Sequence, residues 1–238
     1  MQELNSFRAG IRDGIPICLG YFSVSFAFGI FSISSGLTIL EALLISMTNV
    51  TSAGQLAAVP IIVGGGSLIE LASSMFVINM RYALMSVSLS QRLGKSVRMR
   101  DRFLIAAINT DEVFAVASAK KERVGRNYLF GLILTPYLGW SGGTLFGAVA
   151  GNILPAIVVS ALGVAIYGMF IAIVIPPARK NRNTALCVLL AVALSCLFYY
   201  TPALQSVPSG FVIIICAVAA SVLFAIAAPI REEEEASE

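Results

Sequence analysis

The chain has 238 residues, of which 58% are hydrophobic and only 12% are charged, and its formal net charge is +3. Soluble domains contain about 45–50% apolar and about 25% charged residues, so this composition excludes a soluble globular protein and indicates an integral membrane protein. The small net charge predicts no nucleic-acid partner.

Six stretches of about 20 predominantly apolar residues follow one another, which is the length that a helix needs to cross a bilayer. They lie near 15–35, 68–90, 128–150, 156–177, 185–202 and 209–229. Two further segments, 41–64 and 103–118, are interrupted by polar or charged residues. The sequence therefore predicts an all-α polytopic bundle that forms one transmembrane domain over residues 1–238.

Basic residues predict how these segments are oriented. Every lysine and arginine except Arg81 lies in a cluster beside a predicted segment, as is typical of cytoplasmic loops. If all clusters are cytoplasmic, both termini are inside, and 41–64 and 103–118 each begin and end on one side. We therefore predict six full spans and two broken or re-entrant segments, with a short cytoplasmic N-terminus at 1–14 and an acidic cytoplasmic tail at 231–238.

The segment 41–64 contains the run NVTSAGQLAAVP. Gly54 permits a turn or a close approach of the backbone, and Pro60 disfavours a continuous helix. The polar side chains of the run can satisfy a helix break or face a polar ligand. The alternatives are a ligand-facing break, a polar seam between packed helices and a plain crossing helix. The candidate substrate-binding residues are Asn49, Thr51, Ser52, Gly54 and Gln55.

Arg81 lies inside the predicted span 68–90. It is about eleven residues, or about 16 Å of helix rise, beyond Glu70. An ionisable residue inside a membrane is a candidate functional group whose partner should be named. Arg81 either extends to the cytoplasmic interface or pairs with Asp111, Glu112 or a substrate carboxylate, with Asn79 sharing the site.

The run NTDE at 109–112 contains the only acidic pair inside an apolar segment. One interpretation is that Asn109 or Thr110 caps a helix whose first turn is acidic. In the other, Asp111 or Glu112 is a buried carboxylate that couples transport to protons. Adjacent helical residues diverge by about 100°, so only one of the two faces a ligand unless the helix breaks between them. The interpretations are compatible, because a helix N-terminus at membrane depth also binds anions.

Glycines recur every fourth residue in the run GWSGGTLFGAVAG. This pattern predicts a close helix contact, with either a helix of the same chain or a second subunit. The segments 16–29 and 136–147 share a faint pattern of proline, Leu-Gly-aromatic and Phe-Gly, which suggests an internal repeat. The helix-packing residues are Gly139, Gly143, Gly147 and Gly151.

No cofactor or metal is predicted. The chain has no histidine, and its four cysteines lack metal-ligand spacing. The run QRLGKSV has Leu89 where a nucleotide-binding loop needs its first glycine. No nucleophile lies at a usable spacing from a base, so we do not predict an enzyme.

The runs ISMTNVTSAGQLAAVPIIVGGG, INMRYALMSVSL, NTDEVFAV and GWSGGTLFGAVAG, in this order, resemble the AzlC family over residues 8 to about 177. This family is the large subunit of bacterial branched-chain amino-acid exporters. The resemblance implies export of leucine, isoleucine, valine or a similar amino acid, with a small AzlD-type membrane subunit as partner. Residues beyond 180 carry no matching motif. The proton gradient is the expected driving force, because no nucleotide-binding motif is present.

Combining these lines, we expect the two interrupted segments to meet near the centre of the bilayer. Arg81 or a helix N-terminus would hold the substrate carboxylate, and Asp111 or Glu112 would hold the ammonium group or a coupling proton. Two rival hypotheses are a membrane-embedded enzyme that uses Asp111 and Glu112, and a non-transporting scaffold subunit. A homo-oligomer formed through the glycine strip is a further alternative.

Overall fold

The computed structural model describes residues 3–155 and 174–227, together with 157, 158, 168 and 171. These residues are almost entirely helical, which confirms the predicted all-α membrane bundle. Most of the predicted span 156–177 and the whole tail 231–238 lie outside the described residues. The helices are α1 (Phe7–Ser34), α2 (Ile39–Thr48), α3 (Ser52–Val63), α4 (Leu68–Ser90), α5 (Met99–Ala107), α6 (Asp111–Ser118), α7 (Arg126–Ile153), α8 (Arg182–Tyr200) and α9 (Ser209–Ala227).

Short elements complete this part of the chain. Strands β1 (Glu3–Leu4) and β2 (Arg123–Val124) pair in parallel and connect the N-terminal residues to the start of α7. Helix α1 begins at Phe7, earlier than the predicted span 15–35, because the Ser6 side chain caps it by accepting a hydrogen bond from the Ala9 N–H. The N-terminus predicted at 1–14 is therefore partly helical.

Four of the described helices, α1, α4, α8 and α9, are long and apolar enough to cross a membrane. Helix α7 covers the predicted span 128–150 and has the same length as α1, 28 residues. Helix α8 has no buried residue in the described structure, and its exposed apolar side chains, among them Leu189, Val192 and Leu197, face outward as lipid-facing side chains do. The total number of crossings stays a prediction.

Helices α1 and α7 pack side by side in parallel, and their contact uses the predicted glycine strip. A Cβ atom added at Gly139 would lie 2.6 Å from the carbonyl oxygen of Cys18, and one added at Gly151 would lie 3.4 Å from the Cα of Ile30. The backbones therefore approach as closely as in small-residue packing motifs. The strip is occupied within the chain, so homo-oligomerisation stays a prediction that has to use another surface.

The contacts between α1 and α7 are reciprocal. An added Cβ at Gly10 would meet the backbone of Tyr128 and Leu132, and one at Gly131 would meet the backbone of Phe7 and Ile11. This exchange of equivalent positions is typical of two elements related by a two-fold axis. Parallel helices packed through small residues also exchange contacts in this way, so the predicted internal repeat stays a prediction.

Helices α2 and α3 form a hairpin that begins and ends beside the C-terminal half of α1. The chain leaves α1, passes Leu37 and enters α2, and α3 then brings Val59 back to pack with Leu37 and Phe28. The helices are separated at residues 49–51, which are not helical. The predicted break in 41–64 is therefore observed, and the hairpin returns towards the end of α1 from which it starts; its re-entrant position in the membrane stays a prediction.

Helices α5 and α6 form a second hairpin, which enters from the opposite end of the bundle. Near its start, Asp101 pairs with Arg126 at 3.1 Å, and just after its end Lys120 pairs with Asp13 at 2.7 Å. Both partners lie near the N-terminal ends of α1 and α7. The break occupies residues 108–110, so 103–118 is also broken and returns to the end from which it started.

One detail of the first hairpin differs from the prediction, and a second decides between two predicted alternatives. Pro60 does not interrupt α3, which continues to Val63; the helix tolerates the lost hydrogen bond while its neighbours Val59 and Ile61 are buried. Gly54 lies in the first turn of α3 rather than in a turn of the chain. Its role is close approach, because an added Cβ would lie 2.6 Å from the Thr51 Cγ2 atom.

Candidate functional site

The two helix breaks face each other across a polar cavity of about 180 Å³. Irregular backbone at membrane depth occurs where it is buried in protein or lines a wet cavity, which accounts for both breaks. At about 30 Å³ per water molecule, the cavity has room for several waters or a small polar ligand. Its lining comprises Thr48, Asn49, Val50 and Thr51 from the first hairpin, Ala106, Ala107, Ile108, Asn109 and Thr110 from the second, and Asn79 and Tyr82 from α4.

The cavity lies near the middle of the bundle. The Tyr21 hydroxyl donates a hydrogen bond to the carboxylate of Glu112, directly beside the second break. Tyr21 is about 14 residues into α1, which corresponds to about 21 Å of a helix about 42 Å long. Arg81 is likewise about 20 Å from the start of α4. Both hairpins therefore reach about halfway through the bundle.

Arg81 pairs with Asp111 across the gap between α4 and α6. The Nη1 atom of Arg81 lies 2.8 Å from Oδ2 of Asp111, and the two side chains are 53% and 46% exposed. The Arg81 Nη2 atom also donates to the Tyr82 hydroxyl at 3.0 Å, and Tyr82 donates to Oγ1 of Thr51 at 3.1 Å. This network joins both hairpins through α4, and a charged ligand can still reach the ion pair.

The two acidic residues have different partners because they occupy successive positions in the first turn of α6. Asp111 points towards α4 and Glu112 towards α1. The helix breaks before both residues, not between them. The prediction that one carboxylate is buried is wrong for the described structure, since Asp111 is half-exposed and Glu112 is exposed. Thr110 occupies the predicted N-cap position, but its side chain makes no capping hydrogen bond.

Three polar atoms of the cavity lining are buried and have no hydrogen-bond partner among the described residues. They are Oδ1 of Asn79, Oδ1 of Asn109 and Oγ1 of Thr110. The amide nitrogen of Asn79 donates to Asn49 at 3.3 Å, and that of Asn109 donates to Ser86 at 3.1 Å, which leaves the two amide oxygens free to accept. Buried polar groups are almost always paired, so these acceptors indicate a place for water or a ligand with N–H groups.

Comparison with known proteins places the chain in a family. The family model described as AzlC protein matches residues 16–154, which include both hairpins and all of α7. The inner membrane protein YgaZ of Escherichia coli (strain K12) is 31% identical over 195 residues, covering 79% of this chain and 78% of that protein. The chain is a membrane protein of the AzlC family.

A second relative extends the comparison to archaea. An uncharacterized membrane protein of Archaeoglobus fulgidus is 33% identical over 183 residues, covering 75% of this chain and 79% of that protein. No solved structure matches the chain. AzlC-family membrane proteins are of a transporter type and are generally related to branched-chain amino-acid transport. The cavity lies within the region that the family model matches.

Part of the predicted site lies behind the cavity in this AzlC-family chain. Gln55 is fully buried; its Oε1 atom accepts a hydrogen bond from the indole N–H of Trp140 at 3.3 Å, and its Nε2 atom has no partner among the described residues. Trp140 packs edge-on against Tyr21 with ring centroids 5.0 Å apart. Gly54 packs beneath the first break, and Ser52 does not line the cavity.

The sequence did not identify Tyr21, Tyr82 and Trp140 as part of the site. Each lies in a long apolar run, where an aromatic side chain is expected to pack against neighbours or lipid. Tyrosine and tryptophan carry one polar group that needs a partner when it is buried, and that requirement is the signal available in the sequence. In the described residues, no group of three or more cysteine, aspartate or glutamate side chains is placed to hold a metal ion.

Proposed function

We propose that the chain is a secondary transporter that exports branched-chain or related amino acids. The observation that carries this proposal is the meeting of two broken, re-entrant hairpins at a polar cavity beside the Arg81–Asp111 ion pair. Transporters of several folds bind their substrates at such interrupted helices near the bilayer centre. Membership of the AzlC family supports the branched-chain class of substrate.

An amino-acid zwitterion matches the charges and acceptors around the cavity. Its ammonium group has three N–H donors, and the free oxygens of Asn79, Asn109 and Thr110 are acceptors for them. Its carboxylate suits the guanidinium of Arg81, which binds two carboxylate oxygens at once. The apolar residues Val50 and Ile108 contribute to the cavity wall beside these groups.

The ion pair provides a way to couple substrate to protons. A substrate carboxylate that binds Arg81 competes with Asp111 for the same guanidinium. The substrate's ammonium group and a proton then compete for the released carboxylate of Asp111, so the site holds either the substrate or a proton and not both. Substrate and proton would then move in opposite directions through one site, with the proton gradient as the source of energy.

The proposed setting is the bacterial cytoplasmic membrane, with both termini inside. The arginine and lysine clusters beside the segments support this orientation. The inner membrane protein YgaZ supports the location. A small AzlD-type subunit is the proposed partner, and the outward-facing apolar side chains of α8 are compatible with either lipid or such a subunit.

Efflux from preloaded cells tests the proposal. Cells that express the chain with its neighbour-encoded small subunit are loaded with labelled leucine, isoleucine or valine, and export is compared with cells that carry an empty vector. We expect export above background for at least one of the three, lost in Asp111→Asn and retained in Glu122→Gln, which removes an exposed carboxylate outside the site. Absence of export for all three, with both subunits verified in the membrane, would refute the branched-chain assignment.

A further inference from the structure

A second, larger cavity of about 260 Å³ lies between the C-terminal half of α4 and α5. It is next to the basic loop that follows α4, on the side where α5 enters the bundle. Two serines, Asn109 and Arg102 are among its polar lining residues. The rest of its lining is apolar and includes Val87, Leu89, Leu93, Met99, Phe103 and Ile105.

This apolar cavity adjoins the polar cavity between the hairpins. Ala106 and Asn109 line both cavities, so they form the boundary between them. Asn109 is 3% exposed, and its amide nitrogen donates a hydrogen bond to the hydroxyl of Ser86, a residue that lines only the apolar cavity. Its amide oxygen is buried without a partner. One residue therefore contacts the apolar cavity and presents an unused acceptor at the boundary.

The linings of the two cavities together match the two parts of an aliphatic amino acid, its charged head group and its apolar side chain. The polar cavity has free acceptors and lies beside a cation for the ammonium and carboxylate groups, and the apolar cavity offers a partly open apolar wall to a hydrocarbon side chain. Binding sites typically combine an apolar wall with a few polar groups that fix orientation. Ala106 has the smallest side chain with a Cβ atom, so any larger side chain at this position would occupy space at the boundary.

We propose that the apolar cavity is the subsite for the substrate's side chain, and that Ala106 at its boundary sets the length of side chain that is accepted. This inference rests on the proposed function, and it assigns substrate selectivity to α5 rather than to the ion pair. The head group stays at the hairpin breaks for every substrate, while the contents of the apolar cavity distinguish one aliphatic amino acid from another.

The test compares leucine with valine, which differ by one methylene group. In an apolar pocket one methylene changes selectivity by about tenfold or more. Ala106→Phe places a ring at the boundary, and we expect the ratio of leucine to valine efflux to fall about tenfold or more. Met99→Trp fills the apolar cavity from an exposed position and should lower the same ratio. The matched control is Leu104→Phe, which adds a ring to α5 at an exposed position outside both cavities.

The ratio is measured on one protein sample, so differences in expression cancel. If Ala106→Phe does not accumulate in the membrane, the Met99→Trp variant decides. An unchanged ratio in the filling variants, while the wild-type protein exports both amino acids, would show that the substrate's side chain does not occupy the cavity and would overturn this inference alone. A wild-type protein that exports none of leucine, isoleucine and valine would refute the proposed function and this inference together.

Discussion

The contact between α1 and α7 is so close that a single methyl group should destabilise it. A Cβ added at Gly29 would lie 2.6 Å from the backbone nitrogen of Ala148, whereas ordinary contacts of Cβ atoms begin near 3.4 Å. The helices would have to separate by more than about 0.8 Å, because the carbonyl oxygen of Thr144 lies closer still and both obstructing atoms are backbone, so no side chain can rotate aside. Overpacking of this kind costs about 1–3 kcal/mol, so Gly29→Ala should lower the free energy of unfolding by that amount.

Two glycines of the same helices provide controls. An added Cβ at Gly20 in α1 or Gly142 in α7 meets no atom within 4 Å. Alanine at these positions should be neutral or stabilising by up to about 1 kcal/mol, because glycine is unfavourable inside a helix. Thermal unfolding in detergent can be followed by the fluorescence of Trp140, the one tryptophan of the chain. Equal stability of Gly29→Ala and Gly20→Ala would refute the close-contact argument.

Three further predictions concern the site. Gln55→Leu leaves the indole N–H of Trp140 without its acceptor and should lower the free energy of unfolding by about 1–3 kcal/mol, and adding Trp140→Phe should recover part of that loss. Thermal melts followed by circular dichroism measure both variants, and fully additive effects would argue against the hydrogen bond. A double-mutant cycle of Arg81→Ala and Asp111→Ala should give a coupling free energy of about 1–3 kcal/mol in the same melts, because the half-exposed pair lies between exposed and buried ion pairs. A coupling free energy near zero would contradict the ion pair. Leu68→Cys, at an 84% exposed position at the start of α4, should react with an impermeant thiol reagent added outside cells when the native cysteines are replaced. Reaction only from the cytoplasm would exclude the predicted orientation.

The breaks in both hairpins could be predicted from the sequence because polar residues at the centre of an apolar segment need partners that lipid cannot supply. The distribution of basic residues then required each segment to return to its starting side. The glycine spacing predicted the close contact of α7 but not its partner, since small residues permit approach by any helix. Gly10 and Gly29 of α1 complete that contact, and only the structure shows that they face α7.

The details of the site depended on three-dimensional packing. Asp111 and Glu112 were equivalent candidates in the sequence, and the direction in which α6 begins decides that one meets Arg81 and the other Tyr21. Pro60 did not predict the end of helix α3, because the packing of its buried neighbours outweighs one missing hydrogen bond. The wall of the cavity could not be predicted either, as Ala106 and its neighbours do not differ in composition from residues that face lipid.

Flux through purified protein in liposomes tests the central claim most directly. Vesicles that contain the chain and its small subunit are prepared with an interior more acidic than the medium, so that protons leaving the vesicle can drive leucine in. The accumulation of labelled leucine is then compared for wild-type protein, Asp111→Asn and Glu122→Gln. The account predicts accumulation that requires the gradient, is abolished by Asp111→Asn and is unaffected by Glu122→Gln. Gradient-driven accumulation that persists in Asp111→Asn would contradict the role of the Arg81–Asp111 pair in proton coupling.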